Sequence, residues 1–356
     1  AKEDSVTLAV RQGFVNRDDP AAAPLDMSKP DALDYATLQR RVELAAAMEE
    51  KYQVPLKPLT TAERDQAVAT LRRLKTDGKV NYFASLMKVT SNRGDDPTGP
   101  RDDVGGQRAY RAMMAQIAPD EPVLAHAGVE AGRWGDGGEG RRVAELLIDG
   151  HAILNPNKKA DGSPDTGKLL PMPPESKMRL GFDTATRDAY SEIPAARNAA
   201  YQSAKAIYAA LSGKAGDMDT QTLIDARWKE SIKLAVGEIT EWNRKRTILP
   251  PGHDRARFVD GLYQRIDAVL ASGRMIGTMT AAKMRDMVLE PVGDGRYILR
   301  DGDSKLTDKA GRDVVIDFNL PPAWAPGAQA GRAGRLVMHP SMLGMTTDAY
   351  VAAGGR

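Results

Sequence analysis

RRVELAAAMEEKYQVPLKPLTTAERDQAVATLRRL, from Arg40 to Leu74, is two short amphipathic helices joined by a turn that Pro55 and Pro58 punctuate. Upstream of the prolines, Leu38, Val42, Ala45, Met48 and Tyr52 follow one another at steps of 4, 3, 3 and 4, a single apolar stripe on a helix. Downstream, Thr60 and Glu63 have the spacing of a capping box, and Ala67, Val68, Leu71 and Leu74 form the face of the second helix. The stretch is organised for packing and holds no constellation of reactive side chains. It sets the expectation for the whole chain: a body of helices.

Working outward, Ser28 before Pro30 predicts the opening of the first helix, and Gly78 the end of the second. A shorter helix turns Val80, Phe83 and Met87 inward. The Gly/Asp/Pro-rich Ser91–Gly106 reads as a surface loop, and helices recur near 107–118, 121–131 and 140–151. Beyond the breaker-rich Asn155–Pro174, Pro194 opens a helix closed by Gly213. Another spans about 220–236 with Gly237 as its C-cap, and a third carries Phe258, Leu262, Ile266 and Val269. ITEW-NRK-RTIL within Glu238–Leu249 predicts a hairpin, and residues 288–318 switch to a period near two, with strands at 296–299 and 314–318. The fold class is mainly α: multi-helix bundles with a small β-hairpin and meander near the C-terminus. The expected domains are a flexible arm (1–27), an N-terminal helical domain (28–155), a second helical domain with the hairpin (174–287), the β meander (288–320) and an extended tail (321–356).

Composition narrows the chemistry. The 356 residues contain no cysteine, so thiolate metal sites, disulfides and a cysteine nucleophile are excluded. Aromatics are 5% of the chain, which points to cores of Ala, Leu, Val and Met in closely packed helices. Net charge is +2; residues 1–150 carry 21 basic and 24 acidic side chains, the remainder 29 and 24. Neither half has the excess of a dedicated nucleic-acid binder, so weak DNA contact or none is expected. No apolar run approaches a membrane span of about 20 residues. The chain starts at Ala1 without Met and reads as a piece of something longer.

Each candidate for chemistry has a plainer reading that fits better. His126, His151, His253 and His339 share no ligand spacing. GDGGEG at Gly135–Gly140 lacks the Gly-Lys-Ser/Thr ending of a phosphate loop and carries acids that repel phosphate; Thr166-Gly167-Lys168 lacks that motif's upstream glycine. Asp301, Asp303 and Asp308 hint at calcium, yet Leu306 and Arg312 stand where a calcium loop needs Gly and Glu. Glu175-Ser176 echoes the Glu-Ser of lytic transglycosylases, with Glu175 as general acid, but acids at a helix start favour the dipole anyway. No cofactor and no metal is therefore expected. Two groups remain as candidate contact residues: Trp242 with Arg244, Lys245 and Arg246 on the hairpin, and the cluster Met275, Met279, Met284 and Met287.

Four stretches, Arg41–Glu63, Ala118–Trp134, Ala226–Leu262 and Gly293–Phe318, resemble in order the C-terminal regions of internal virion proteins of tailed phages. These are the ejection or inner-core proteins, many with a lytic transglycosylase domain upstream. The resemblance implies a non-enzymatic structural module held in the virion interior and passed into the host envelope with the genome. Its partners would be other virion proteins (itself, portal or tail components), with the host envelope and peptidoglycan as further contacts. No transglycosylase motif accompanies the resemblance, so it transfers no catalytic residue. The alternative is a peptidoglycan-active enzyme, or its cell-wall-binding module, with Glu175 as the acid.

Overall fold

The computed structural model describes residues 3–52, 56–90, 104–134, 138–155, 172–190, 194–216, 222–250, 253–275, 277–293 and 295–318. The expected loop at 91–106 lies mostly outside them, as do the breaker-rich 155–174, His339 and the tail at 321–356. The protein is mainly helical with a small antiparallel β component near the C-terminus. It divides into two compact units, one up to Gly132 and one from Arg133.

The first unit holds α1 (Ser5–Arg11), α2 (Tyr35–Tyr52), α3 (Thr61–Arg73), α4 (Thr76–Thr90), α5 (Val104–Ile117) and α6 (Pro122–Trp134, which ends across the boundary). Residues expected to be an arm are built into this body. Asp4 caps α1 by accepting from the Thr7 amide at 2.8 Å, and Leu8, Ala9, Val15 and Ala21 bury against Leu44 and Met48 of α2. Phe14 meets Tyr52 edge-on, and the Lys51 ammonium sits 4.2 Å over the Phe14 ring.

The α2 stripe is buried as its spacing demands, at Leu38, Val42, Ala45 and Met48, but one more residue lies in it. Arg41, three before Leu44 and three after Leu38, is fully buried. Its guanidinium donates to the carbonyls of Ala21, Ala23 and Pro58 and to Glu63 Oε2 at 2.8 Å. Glu63 in turn accepts from the Leu25 amide and completes the predicted capping box with Thr60. Gly78 does not end α3. That helix stops where Leu74 turns extended, and Gly78 lies inside α4, leaving room for the Leu74 side chain 3.1 Å from where a Cβ would be.

In the second unit α7 (Gly138–Leu154), α8 (Glu175–Thr186), α9 (Pro194–Lys214) and α10 (Asp225–Val236) precede the hairpin β1 (Ile239–Trp242) and β2 (Lys245–Ile248). Then come α11 (Arg255–Ala271), α12 (Ala281–Arg285) and β3 (Val288–Gly293), β4 (Arg296–Asp301), β5 (Ser304–Lys305) and β6 (Val315–Asp317). α9 runs through Gly213. The division of the chain precedes α7 rather than following it because α7 packs on α9 with almost no spacing: a Cβ on Gly150 would lie 1.9 Å from the Ala206 carbonyl oxygen. Trp228 of α10 fills the gap beside α9, edge-on to Tyr201 and Tyr208.

The meander is not separate from the helices before it. β4 is central, antiparallel to β3 on one side and to β5 and β6 on the other. Leu289, Tyr297, Leu299 and Ile316 share one core with Phe258, Leu262, Ile266 and Val269 of α11. Phe318 stacks on Phe258 at 5.0 Å between ring centroids. The expected boundary at 287/288 therefore runs through a single hydrophobic core.

Two substitutions test this packing. Arg41→Ala leaves Glu63 and three carbonyls buried without their cation, and chemical denaturation should show a loss of about 3–5 kcal/mol; a loss below about 1 kcal/mol would contradict it. Gly150→Ala forces α7 off α9 and should cost at least about 2 kcal/mol, whereas Gly138→Ala, where a Cβ meets open space, should be neutral or slightly stabilising.

Candidate functional site

The hairpin forms where its sequence predicts, with Ile239 opposite Ile248 and Trp242 opposite Lys245, which the sequence places in the turn and which instead begins β2. Asn243 and Arg244 make the two-residue turn, both with positive φ (46° and 67°), the twist that suits a tight antiparallel pair. What the hairpin presents differs from expectation. Trp242 points inward, edge-on to Phe258 and Tyr263, and its indole N–H donates to the Met287 carbonyl at 3.1 Å. It anchors the hairpin to the core and is not available to stack on a partner.

The methionines behave in the same way. Met275, Met284 and Met287 are buried members of the Trp242–Phe258 core, and Met279 is partly buried against it. Flexible thioethers fill the irregular space between α11, α12 and the sheet. As contact residues, Trp242 and this cluster are corrected to core.

The three cations are placed differently from one another. Arg246 reaches back to α8 and donates to the Ala185 carbonyl at 2.8 Å and the Thr184 carbonyl at 3.4 Å, where the negative end of the helix dipole favours a cation. Arg244 is exposed at the tip and Lys245 is half-buried beside it. On the other side of the tip the Asn243 amide donates to the Arg285 and Met287 carbonyls, which fixes the turn against the end of α12.

Glu175 stands at the start of α8. Its carboxylate accepts from Lys205 at 2.8 Å and from the Tyr201 hydroxyl at 2.7 Å, with Arg179 at 3.9 Å. The Lys205 hydrogen bond, joined by that of Tyr201, holds this carboxyl below its ordinary range. A general acid on a glycosidic oxygen needs the opposite, a pKa raised by burial or a like charge.

The acidic loop of the meander is also a structural device. Asp308 accepts from the Ala310 and Arg312 amides at 2.8 and 3.0 Å and pairs with the guanidinium groups of Arg274 and Arg312. The Arg312 amide is the foremost cause that holds its carboxyl far below the usual carboxylate range. Asp301 and Asp303 do not join it: among the described residues no group of three or more His, Asp or Glu side chains is placed to hold a metal ion. Gly138–Gly140 of the glycine-rich motif belong to the first turn of α7; 135–137 lie outside the described residues.

Two cations escaped the sequence reading although a signal was present. Arg265 falls within the α11 stripe between Leu262 and Val269, as Arg41 does in α2. It donates to the Asp317 and Gly261 carbonyls at 2.9 Å, and its guanidinium lies 4.3 Å over the Phe318 ring. Burial pushes its pKa down to about 10, partly opposed by Asp317. Arg187, just past α8, has φ 41° and no glycine in its neighbourhood to announce the turn.

No family model matches the chain, and neither a curated protein nor a solved structure is significantly similar to it.

The Asp308 hub sets a pH dependence. A carboxylate whose pKa is depressed on folding contributes stability that is complete above its unfolded value, about pH 4, and is lost as the pH falls toward the folded value. Thermal melts from neutral pH downward should show wild type losing its advantage over Asp308→Asn below about pH 4. Parallel curves for the two proteins would remove Asp308 from that role.

Proposed function

We propose that this chain is a non-enzymatic structural module of a tailed-phage internal virion protein, of the ejection or inner-core kind. It works by assembling with other virion proteins in the particle and is carried toward the host envelope with the genome. Its fourfold resemblance in order along the chain motivates this reading. The observation that carries it furthest is how the acidic residues are used. Four acids that sequence or burial singles out, Glu175, Glu63, Glu290 and Asp308, are each held by a cation: Lys205, Arg41, Arg300 and the pair Arg274 and Arg312. Carboxylates fixed in that way fasten elements together.

The mode of assembly follows from the surface. The apolar stripes are spent inside the two units, and among the described residues Leu180 is the one large hydrophobic side chain left exposed. Contacts with sibling subunits, portal or tail components that are made through the described surface are therefore polar and charged. No described helix is long and apolar enough to cross a membrane.

Mass spectrometry of purified particles from the producing strain tests the reading. The chain should be found in intact virions and be depleted from particles emptied by ejection; presence only in lysate, outside particles, would overturn it. The purified chain should leave cell-wall suspensions undigested. Digestion by wild type that Glu175→Gln abolishes would establish the peptidoglycan-active reading instead.

A further inference from the structure

Among the described residues three non-glycine residues have left-handed backbone, and two of them are arginines: Arg187 at φ 41° and Arg244 at φ 67°, with Asn243 at 46°. Asparagine tolerates this region; arginine gains nothing from it, and glycine would occupy either place with less strain. A tight hairpin turn favours Asn-Gly, and this one is Asn-Arg. Arg187, which ends α8, combines φ 41° with ψ −118°, a region that glycine enters far more easily than a residue with a Cβ. Strain kept at an exposed position directs attention to what the side chain does.

The two arginines belong to one surface. Arg246 ties β2 to the end of α8, two residues before Arg187, and β2 packs along the turn Arg187–Tyr190. Asn243 ties the tip to the end of α12, where Lys283 is exposed. Arg187 and Arg244 are exposed, and among the described residues no carboxylate pairs with them or with Lys245. The acids near by are Glu241, exposed opposite Arg246, Asp286, Asp267, which is engaged by Arg285 at 3.1 Å, Asp183, which is engaged by Arg197 at 2.6 Å, and Asp188, next to Arg187 in sequence. Cations outnumber them, so a chain of nearly balanced charge carries a local positive surface.

We infer that this surface binds the phosphate backbone of double-stranded nucleic acid without reading its sequence. A guanidinium presents two parallel N–H groups that match phosphate oxygens, which gives a reason for arginine where glycine would relax the backbone. Binding of single strands draws on aromatic platforms, and the aromatic side chain of the hairpin, Trp242, is buried and hydrogen-bonded. Attachment to a lipid surface draws on apolar insertion, and Leu180 alone offers too little area. With Arg187, Arg244 and Lys245 each meeting a phosphate, affinity should fall with salt at a log–log slope of about −3. The inference stands apart from the virion reading and holds or fails without it.

Fluorescence anisotropy of the full chain with a short labelled duplex at about 50 mM salt tests it. Wild type should bind weakly with that slope. Arg187→Gly/Arg244→Gly should bind about tenfold or more weakly, with a slope shallower by about 2, while its melting temperature stays equal or rises as the strain is released. Lys245→Gln, which touches no strained backbone, should remove about one unit of slope. Arg11→Gln, on the other unit, should bind as wild type. Unchanged duplex affinity in both hairpin variants would overturn the inference, as would tighter binding to a single strand or to phosphatidylserine vesicles than to the duplex.

Discussion

The first unit depends on a buried cation, Arg41, and on the acid that receives it. Arg41 is planted in the apolar stripe of α2, and its guanidinium is taken up by three carbonyls and by Glu63. Those carbonyls come from the segment before α2 and from the prolyl turn after it, so one side chain fixes the path of residues 21–23 and of Pro58. Glu63 is equally occupied. One oxygen accepts from the Leu25 amide, and the other serves both Arg41 and the Thr60 amide of the capping box. Desolvating two charges costs several kcal/mol, which a pair recovers only when its remaining donors and acceptors are satisfied. Here they are, and the consequence is register more than raw stability. The start of α3, the N-terminal segment and α2 have one mutual arrangement that closes all of these bonds.

The second unit repeats the device at its C-terminal side. Arg265 lies in the α11 stripe and bonds to the carbonyls of Asp317 and Phe318, while Phe318 stacks on Phe258 about two turns earlier in the same helix. The last strand is thus held to α11 by a cation and an aromatic ring together, and the meander shares a core with the helix. Tyr297 strengthens this by donating its hydroxyl to the Ile248 carbonyl, which joins the hairpin to the sheet. Each arrangement places a polar group where a stripe alone would call for Leu, and each gives a short irregular segment a fixed seat.

That pattern explains how far the sequence could be read. Periodicity found the helices because a buried face must repeat every three or four residues, and it found β4 because Tyr297 and Leu299 alternate against α11. The Thr60–Glu63 spacing located the start of α3, and Trp242–Lys245 the hairpin, because caps and tight turns are local. What failed was non-local. Residues 5–27 look like an arm since their apolar side chains are few and unperiodic, and only the carbonyls they offer to Arg41 and the cluster around Met48 hold them. Trp242 and the methionines look like contact residues until the fold closes over them. Arg41 and Arg265 were visible as charges inside apolar stripes, and that contradiction between residue type and position is the signal a closer reading would have used. Arg187 had no comparable signal, since nothing in Thr-Arg-Asp distinguishes a left-handed turn from a right-handed one.

The same economy bears on how this chain meets anything else. Small Ala- and Gly-rich helices pack closely, as at Gly150 against Ala206, and leave little apolar surface over once the cores are filled. Association through an apolar patch would require a stripe left uncovered, and among the described residues only Leu180 is so placed. Charged surfaces remain. Interactions of that kind are screened by salt and form and dissolve quickly, since affinity rests on many weak contacts and not on one desolvated anchor. A positive surface held rigid by buried Trp242, by Asn243 and by the Arg246 bonds to α8 keeps its cations in place before a partner arrives. Preorganisation of that sort lowers the ordering cost of binding, and it accounts for a hairpin whose interior is tightly fastened while its tip keeps an arginine in a glycine's place.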